Sequence, residues 1–158
     1  MKAKKILIVD YDQKSLDSLA GLFSPYDLEI IRAADGKSAY ELYRSEDPDL
    51  ILMEAMLPKL HGFDLAKKIY EETKGTVPII VVTGLYKGTK YKNEALRTFG
   101  VAEYFEKPYD GEKLVGAVMN LLHEEIDLER DLPSVEKVVA LLSEMMDESQ
   151  AGEGKKQS

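Results

Sequence analysis

Four side chains of differing chemistry each follow a short apolar run: Asp10, Glu54, Thr83 and Lys107. A carboxylate can bind Mg²⁺ or act as a nucleophile, whereas a hydroxyl and an ammonium bind phosphate oxygens. If the apolar runs are neighbouring parallel strands, all four side chains lie at the carboxyl edge of one sheet. The set therefore predicts a crevice that could hold a phosphoryl group, with Asp10 and Glu54 as the candidate metal ligands.

The apolar runs alternate with segments that have the apolar spacing of amphipathic helices. The predicted strands span 5–9, 28–32, 50–53, 77–82 and 101–105. The predicted helices begin at Gln13, near Asp35, at Gly62, at Tyr91 and after Asp110. Strict alternation predicts a parallel sheet covered on both faces by right-handed crossovers. The expected fold is α/β, doubly wound and flavodoxin-like, with five parallel strands in the order 2-1-3-4-5.

The sequence after residue 123 differs in charge from the part before it. Of the 29 acidic and 21 basic residues in the chain, 10 acidic and 4 basic residues fall in 124–158. Six apolar residues in this stretch have the spacing of one helical stripe: Val135, Val138, Val139, Leu142, Met145 and Met146. The predicted organisation is a domain over 1–123, an acidic amphipathic helical extension over 124–150 and a disordered tail over 151–158.

Two roles are open for the apolar stripe of the extension. It could fold back on the domain as an extra C-terminal helix, or it could pair with another chain. Because the core of the domain is complete without it, partner binding or a homodimer is favoured. Val138, Leu142 and Met145 are then contact residues, and methionine tolerates an imperfect partner surface.

Composition excludes several classes of function. The chain has no cysteine, so it has neither disulfides nor thiolate metal sites. A formal net charge of −8 argues against nucleic acid as a partner. The apolar runs are too short to cross a bilayer and no signal peptide opens the chain, so a cytoplasmic location is expected. His61 and His123 have no second ligand at metal spacing, so neither predicts a metal site.

Five segments resemble the receiver domain of bacterial response regulators: 6–10 (ILIVD), 49–58 (DLILMEAMLP), 61–62 (HG), 81–84 (VVTG) and 104–108 (YFEKP). The resemblance covers residues 4–123. It implies a module in which an aspartate after the third strand accepts a phosphoryl group from a histidine kinase. Two adjacent acids after the first strand help to bind Mg²⁺. Residues equivalent to Thr83, Tyr104 and Lys107 relay the change to a partner face made by helix four, strand five and helix five.

Two positions depart from the receiver pattern. Glu54 stands where the family has the phospho-acceptor aspartate, and Tyr11 stands where it has the second acid. Glutamate is longer by one methylene, about 1.5 Å, and a misplacement of about 1 Å can slow a positioned reaction about a hundredfold. Tyr11 removes a carboxylate from the Mg²⁺ shell, although Asp12 could reach into the acidic pocket beside Asp10. The expectation is a pseudo-receiver with weak Mg²⁺ binding at most and no other cofactor.

Three functions remain open for such a domain, none of them enzymatic. The favoured one is phosphorylation-independent binding of a protein partner, through Tyr104 and the helix four–strand five–helix five face or through the C-terminal extension. The alternative is a receiver that still accepts phosphate from a histidine kinase with Mg²⁺, and a third is a small-molecule site in the acidic pocket. Glu54 could pair with Lys107 either as a fixed mimic of the phosphorylated state or as a structural ion pair.

A basic cluster lies around the predicted fourth helix. Its members are Lys87, Lys90, Lys92 and Arg97. The cluster could dock an acidic partner, but such a run is more commonly a solvated face.

Overall fold

The computed structural model describes residues 3–123, in which five strands and five helices alternate. The strands are β1 (Lys4–Val9), β2 (Leu28–Ala33), β3 (Leu50–Met53), β4 (Ile79–Thr83) and β5 (Glu103–Glu106). The helices are α1 (Gln13–Leu22), α2 (Gly36–Glu46), α3 (Gly62–Thr73), α4 (Thr89–Thr98) and α5 (Gly111–His123). All strand pairs are parallel and the order is β2-β1-β3-β4-β5, which confirms the predicted fold.

Side chains of β1 alternate between two cores, one on each face of the sheet. Leu7 and Val9 join the core under α2, α3 and α4, and Ile6 and Ile8 join the core under α1 and α5. All four side chains are fully buried, since β1 lies between β2 and β3 in the sheet and is covered on both faces. Burial of both faces explains why the strands are continuous apolar runs in the sequence.

Two strands begin two residues later than predicted. β4 begins at residue 79 rather than 77, because Pro78 has no amide hydrogen to donate to the sheet. β5 begins at residue 103 rather than 101, because the amide of Val101 donates to Ala95 O at the end of α4 (3.1 Å). β4 also ends one residue later than predicted, so Thr83 is its last residue rather than the residue after it.

Three helices that begin at the carboxyl edge of the sheet carry their own side-chain caps. The capping residues are Asp35 for α2, His61 for α3 and Asp110 for α5. Each accepts a hydrogen bond from a backbone amide in the first turn, where amides lack helical partners. Neither α1 nor α4 has a side-chain cap.

Gly62 allows α3 to begin close to the end of β3. Its amide donates to Ala55 O at 2.8 Å, and a Cβ at this position would lie 2.6 Å from the carbonyl oxygens of Glu54 and Ala55. A larger residue would therefore displace the backbone here. The close approach holds the β3–α3 loop against the residue that follows β3.

The predicted C-terminal elements fall outside the described residues. These are the helical extension over 124–150, which includes Val138, Leu142 and Met145, and the tail over 151–158. Their predicted roles therefore stay predictions. Within residues 3–123, no helix is both long and apolar enough to cross a membrane.

Candidate functional site

The register of the sheet places the two predicted carboxylates side by side. Val9 at the end of β1 is paired with Met53 at the end of β3. The amide of Glu54 then donates to Val9 O at 2.9 Å. Asp10 and Glu54 therefore leave their strands at the same level and on the same edge.

A second register brings the hydroxyl and the ammonium to the same edge. Thr83 at the end of β4 is paired with Glu106 at the end of β5. The amide of Lys107 donates to Thr83 O at 2.8 Å. The four predicted side chains thus leave four different strands at one edge, as expected for parallel strands.

The Lys107 ammonium lies between the two carboxylates. Its Nζ is 2.7 Å from Asp10 Oδ2 and 3.0 Å from Glu54 Oε2. The Asp10 and Glu54 side chains are 0% and 2% exposed, and that of Lys107 is 23% exposed. The pair expected between Glu54 and Lys107 is therefore present, and Asp10 completes a triad with a formal charge of −1.

Asp10 is held by groups on the following turn as well as by Lys107. Its Oδ1 accepts from the amide of Asp12 at 2.9 Å, and its Oδ2 accepts from the Ser15 hydroxyl at 2.7 Å. Ser15 escaped the sequence argument, because a serine in a first helical turn is usually explained by capping or solvent exposure. These contacts satisfy both oxygens of a carboxylate that has no access to water.

The Glu54 carboxylate turns toward backbone amides around the crevice. Its Oε1 accepts from the amides of Ala55 (3.0 Å) and Met56 (3.4 Å), and its Oε2 accepts from the amide of Gly84 (3.2 Å). The last contact joins β3 to the β4–α4 loop. Sequence motifs alone do not reveal these partners, because backbone amides carry no sequence signal.

Two opposing effects act on the Lys107 ammonium. Burial by itself lowers the pKa of Lys107, but the hydrogen bonds to Asp10 and Glu54 outweigh burial, so the pKa is raised above its usual value of 10.5. The triad therefore keeps a protonated lysine at neutral pH, and this lysine is not poised to act as a base or a nucleophile.

Thr83 and Tyr104 are connected through the β4–α4 loop. Thr83 Oγ1 accepts from the amides of Leu85 (3.2 Å) and Tyr86 (3.3 Å), and the Tyr104 hydroxyl donates to Tyr86 O. The phenol of Tyr86 in turn lies 3.1 Å from His61 Nε2. Tyr86 and His61 thus join a network in which the sequence had placed only Thr83 and Tyr104.

Tyr104 was expected to contribute to the partner face. The structure places it in the core at 6% exposure, where burial raises the pKa of its phenol to about 12. In this conformation Tyr104 therefore lies beneath the surface, and its influence on a partner would pass through Tyr86. Its position follows from the pairing of Tyr104 with Val81 in the sheet, which directs the ring into the core beside α4.

Asp12 and Tyr11 do not add a carboxylate to the pocket. Tyr11 is 49% exposed. Asp12, the residue that precedes α1, is also exposed, and its side chain makes no hydrogen bond to another residue between 3 and 123. The prediction that Asp12 reaches in beside Asp10 is therefore not met in this conformation.

The residues at the crevice do not fit the Mg²⁺ ion that the receiver pattern implies. In the part of the chain that the structure describes, no three carboxylates or histidines lie close enough to hold a metal. Mg²⁺ requires near-octahedral oxygen ligands, and the inward oxygens of Asp10 and Glu54 are already bound to Lys107. The Lys107 ammonium is thus already paired with the two carboxylates that would have to bind the ion.

The four cations of the basic cluster, Lys87, Lys90, Lys92 and Arg97, are all exposed. None of them forms an ion pair with another residue between 3 and 123. Exposure is compatible with a solvated face and with a docking patch, so both interpretations of this cluster stay open.

Comparison with known proteins identifies the family. Residues 6–119 match the response regulator receiver domain. The chain belongs to this family. It is 34% identical over 121 residues to the response regulator ArlR of Staphylococcus saprophyticus, which covers 75% of this chain and 52% of ArlR. It is 27% identical over 119 residues to protein PilH of Pseudomonas aeruginosa, which covers 75% of this chain and 97% of PilH.

Solved receiver domains have the same fold. The signal receiver domain of an HD domain-containing protein from Pseudomonas fluorescens Pf-5 is 28% identical, with a TM-score of 0.71 over 77% of this chain and 96% of that one. The chain spans about half the length of several curated relatives that it matches, among them transcriptional regulators. Receiver domains serve in two-component signalling and interact with kinases and other proteins, so this chain is a receiver domain in that kind of signalling.

Replacing Lys107 with Met leaves two buried carboxylates without a cation between them. We expect the free energy of unfolding to fall by roughly 2–4 kcal/mol, because an uncompensated buried charge is costly. Adding Glu54→Gln should recover part of the loss, so the two changes should not be additive. Urea unfolding of the single and double variants measures this coupling.

A matched control is the exposed pair of Arg32 and Asp17, whose atoms are 2.6 Å apart. Arg32→Met should change the free energy of unfolding by less than about 1 kcal/mol. Additive effects of Lys107→Met and Glu54→Gln would contradict the triad.

Alkaline pH should destabilise the domain. The folded protein holds the Lys107 proton more tightly than the unfolded chain, so this contribution is complete below the unfolded pKa near 10.5 and is lost as pH rises further. Tyr104 acts in the same direction, since its pKa of about 12 lies above the unfolded value of 10.0. Urea unfolding at rising pH should give a falling free energy of unfolding above pH about 10, with a shallower fall in Tyr104→Phe. A wild-type stability that is flat across this window would contradict both pKa shifts.

Proposed function

We propose that this chain is a receiver module that signals by protein contact without accepting a phosphoryl group. The observation that carries the proposal is the environment of the Glu54 carboxylate. This carboxylate pairs with Lys107 and accepts hydrogen bonds from the amides of Ala55, Met56 and Gly84. A transferred phosphoryl group needs an ammonium and backbone donors of this kind around its oxygens, and here a carboxylate already uses them.

Two further features argue against useful phosphotransfer. The side chain of Glu54 is longer than that of an aspartate by one methylene, about 1.5 Å, which displaces any attacking oxygen. Tyr11 supplies no carboxylate for Mg²⁺, and the remaining acid Asp10 is bound to Lys107. Because both losses act on the same step, their effects on the rate multiply.

Glu54 carries a permanent negative charge at the position where a typical receiver gains negative charge only when it is phosphorylated. Its formal charge is −1, against about −1.5 to −2 for a phosphate at neutral pH. The contact with Gly84 ties this charge to the loop that leads to α4, and Thr83 and Tyr104 bind the same loop through Tyr86. We therefore propose that Glu54 mimics the phosphorylated state and holds the partner face in one conformation.

The partner that we propose is a protein, because a net charge of −8 disfavours nucleic acid. Its binding face would comprise α4, β5 and α5, or the predicted extension over 124–150, which could also form a homodimer. The alternative function is a receiver switched by a histidine kinase with Mg²⁺, which the family membership favours.

Incubation with Mg²⁺ and acetyl phosphate tests whether phosphate is accepted. We expect intact-mass spectrometry of the wild-type protein to show no added phosphoryl group. The double variant Tyr11→Asp/Glu54→Asp rebuilds the receiver pattern, frees the amides that Glu54 occupies and should gain one phosphoryl group.

A wild-type adduct would restore the kinase-switched alternative. A double variant that stays unmodified, beside an ordinary receiver domain that is phosphorylated, would show that other residues cause the loss.

Glu54→Gln tests the mimicry, because it removes the charge while it keeps the size of the side chain. If the Glu54 charge determines the conformation of the β4–α4 loop, amide chemical shifts in NMR spectra should change at Gly84, at Tyr86 and Tyr104, and in α4. The control Glu46→Gln breaks a surface ion pair of 3.4 Å to Lys5 and should have only local effects. Changes that stop at the residues touching Glu54 would indicate a structural ion pair without a signalling role.

A further inference from the structure

We propose that Glu106 is a positioning residue, which holds the N-terminus of α4 from the neighbouring strand β5. Its Oε1 accepts a hydrogen bond from the amide of Gly88 at 2.9 Å. Gly88 is the residue immediately before α4. The inference rests on the proposed function, since α4 belongs to the proposed partner face.

Helix α4 has no side-chain cap of its own that could hold its N-terminus. Gly88 provides no side chain, no acidic residue lies in the first turn, and Lys90 and Lys92 place positive charge there. Positive charge is unfavourable at a helix N-terminus, where the exposed amides carry a partial positive charge. Asp35 and Asp110 accept from amides inside the first turn of their own helices, whereas Glu106 brings a negative charge and an acceptor from another strand to the residue just before α4.

The rest of α4 does little to fix its position. Ala95 is the one fully buried residue of this helix, whereas α3 buries five of its residues. A helix with so small a buried face depends more on contacts at its ends. Gly88 also has φ of 107°, a backbone conformation that other residues rarely adopt, so the turn into α4 is specific to glycine.

Glu106 and Tyr104 together form a two-point clamp on the β4–α4 loop. They are two residues apart on β5, so their side chains lie on the same face of the strand. They bind Tyr86 and Gly88, which are also two residues apart. Through this clamp, a shift of β5 would also shift the start of α4. The residue that follows β5 is Lys107 of the triad.

Backbone hydrogen exchange tests the clamp without any partner. Glu106→Ala removes the acceptor and should speed exchange of the Gly88 amide, and of the Lys92 amide in α4 that donates to Gly88 O at 3.2 Å, by about fivefold, the effect of losing about 1 kcal/mol from one exposed hydrogen bond. Glu106→Gln keeps an oxygen at the same place and should retain most of the protection. Glu103→Ala changes another exposed glutamate of β5 and should have no effect on α4.

Unchanged exchange at α4 in Glu106→Ala would overturn the proposal. So would an equal effect of Glu103→Ala, or a Glu106→Gln variant that behaves like the alanine variant. The midpoint of urea unfolding should move little in Glu106→Ala, and a large shift accompanied by faster exchange throughout the domain would indicate general destabilisation and also overturn it. Exchange is measured on the unmodified protein, so the result is independent of whether wild type accepts phosphate from acetyl phosphate.

Discussion

The ion triad of Lys107, Asp10 and Glu54 is the interaction on which the rest of the site depends. Two carboxylates with almost no access to water lie at the ends of β1 and β3, and a buried carboxylate is tolerated only when it is paired and hydrogen-bonded. The paired cation comes from the end of β5. The charge requirement therefore ties three strand ends together at one edge of the sheet.

The two departures from the receiver pattern, Tyr11 and Glu54, both affect the balance of charge in the crevice. With tyrosine at position 11, the crevice has one carboxylate fewer than the family pattern, so less positive charge is needed to balance it. With glutamate at position 54, the longer side chain brings the second carboxylate to within 3.0 Å of the Lys107 ammonium. Lys107 then offsets one of the two carboxylate charges, and the formal charge of the triad is −1.

The same side chains also explain how a charge in the crevice can act on a surface that it does not touch. Glu54 binds the amide of Gly84 at the start of the β4–α4 loop, Tyr104 binds the carbonyl of Tyr86 in its middle, and Glu106 binds the amide of Gly88 at its end. The loop is therefore held at its start by the residue that follows β3, and at its middle and end by side chains of β5. Helix α4 begins where that path ends and buries a single residue fully, fewer than any other helix between residues 3 and 123.

The sequence by itself determined the fold and the composition of the crevice, because both depend on local patterns. Apolar runs that alternate with amphipathic segments define parallel strands, and the residue at the end of each strand must then lie at one edge. Asp10, Glu54, Thr83 and Lys107 were predictable in this way. Only the tertiary structure decided which atoms they bind, that Tyr104 is buried, that Asp12 stays outside and that Ser15 and Glu106 take part. These contacts join groups that are distant in the chain, such as Lys107 and Asp10 at 97 residues apart or Gly84 and Glu54 at 30. Such geometry is set by the packing of whole elements, which no local pattern encodes.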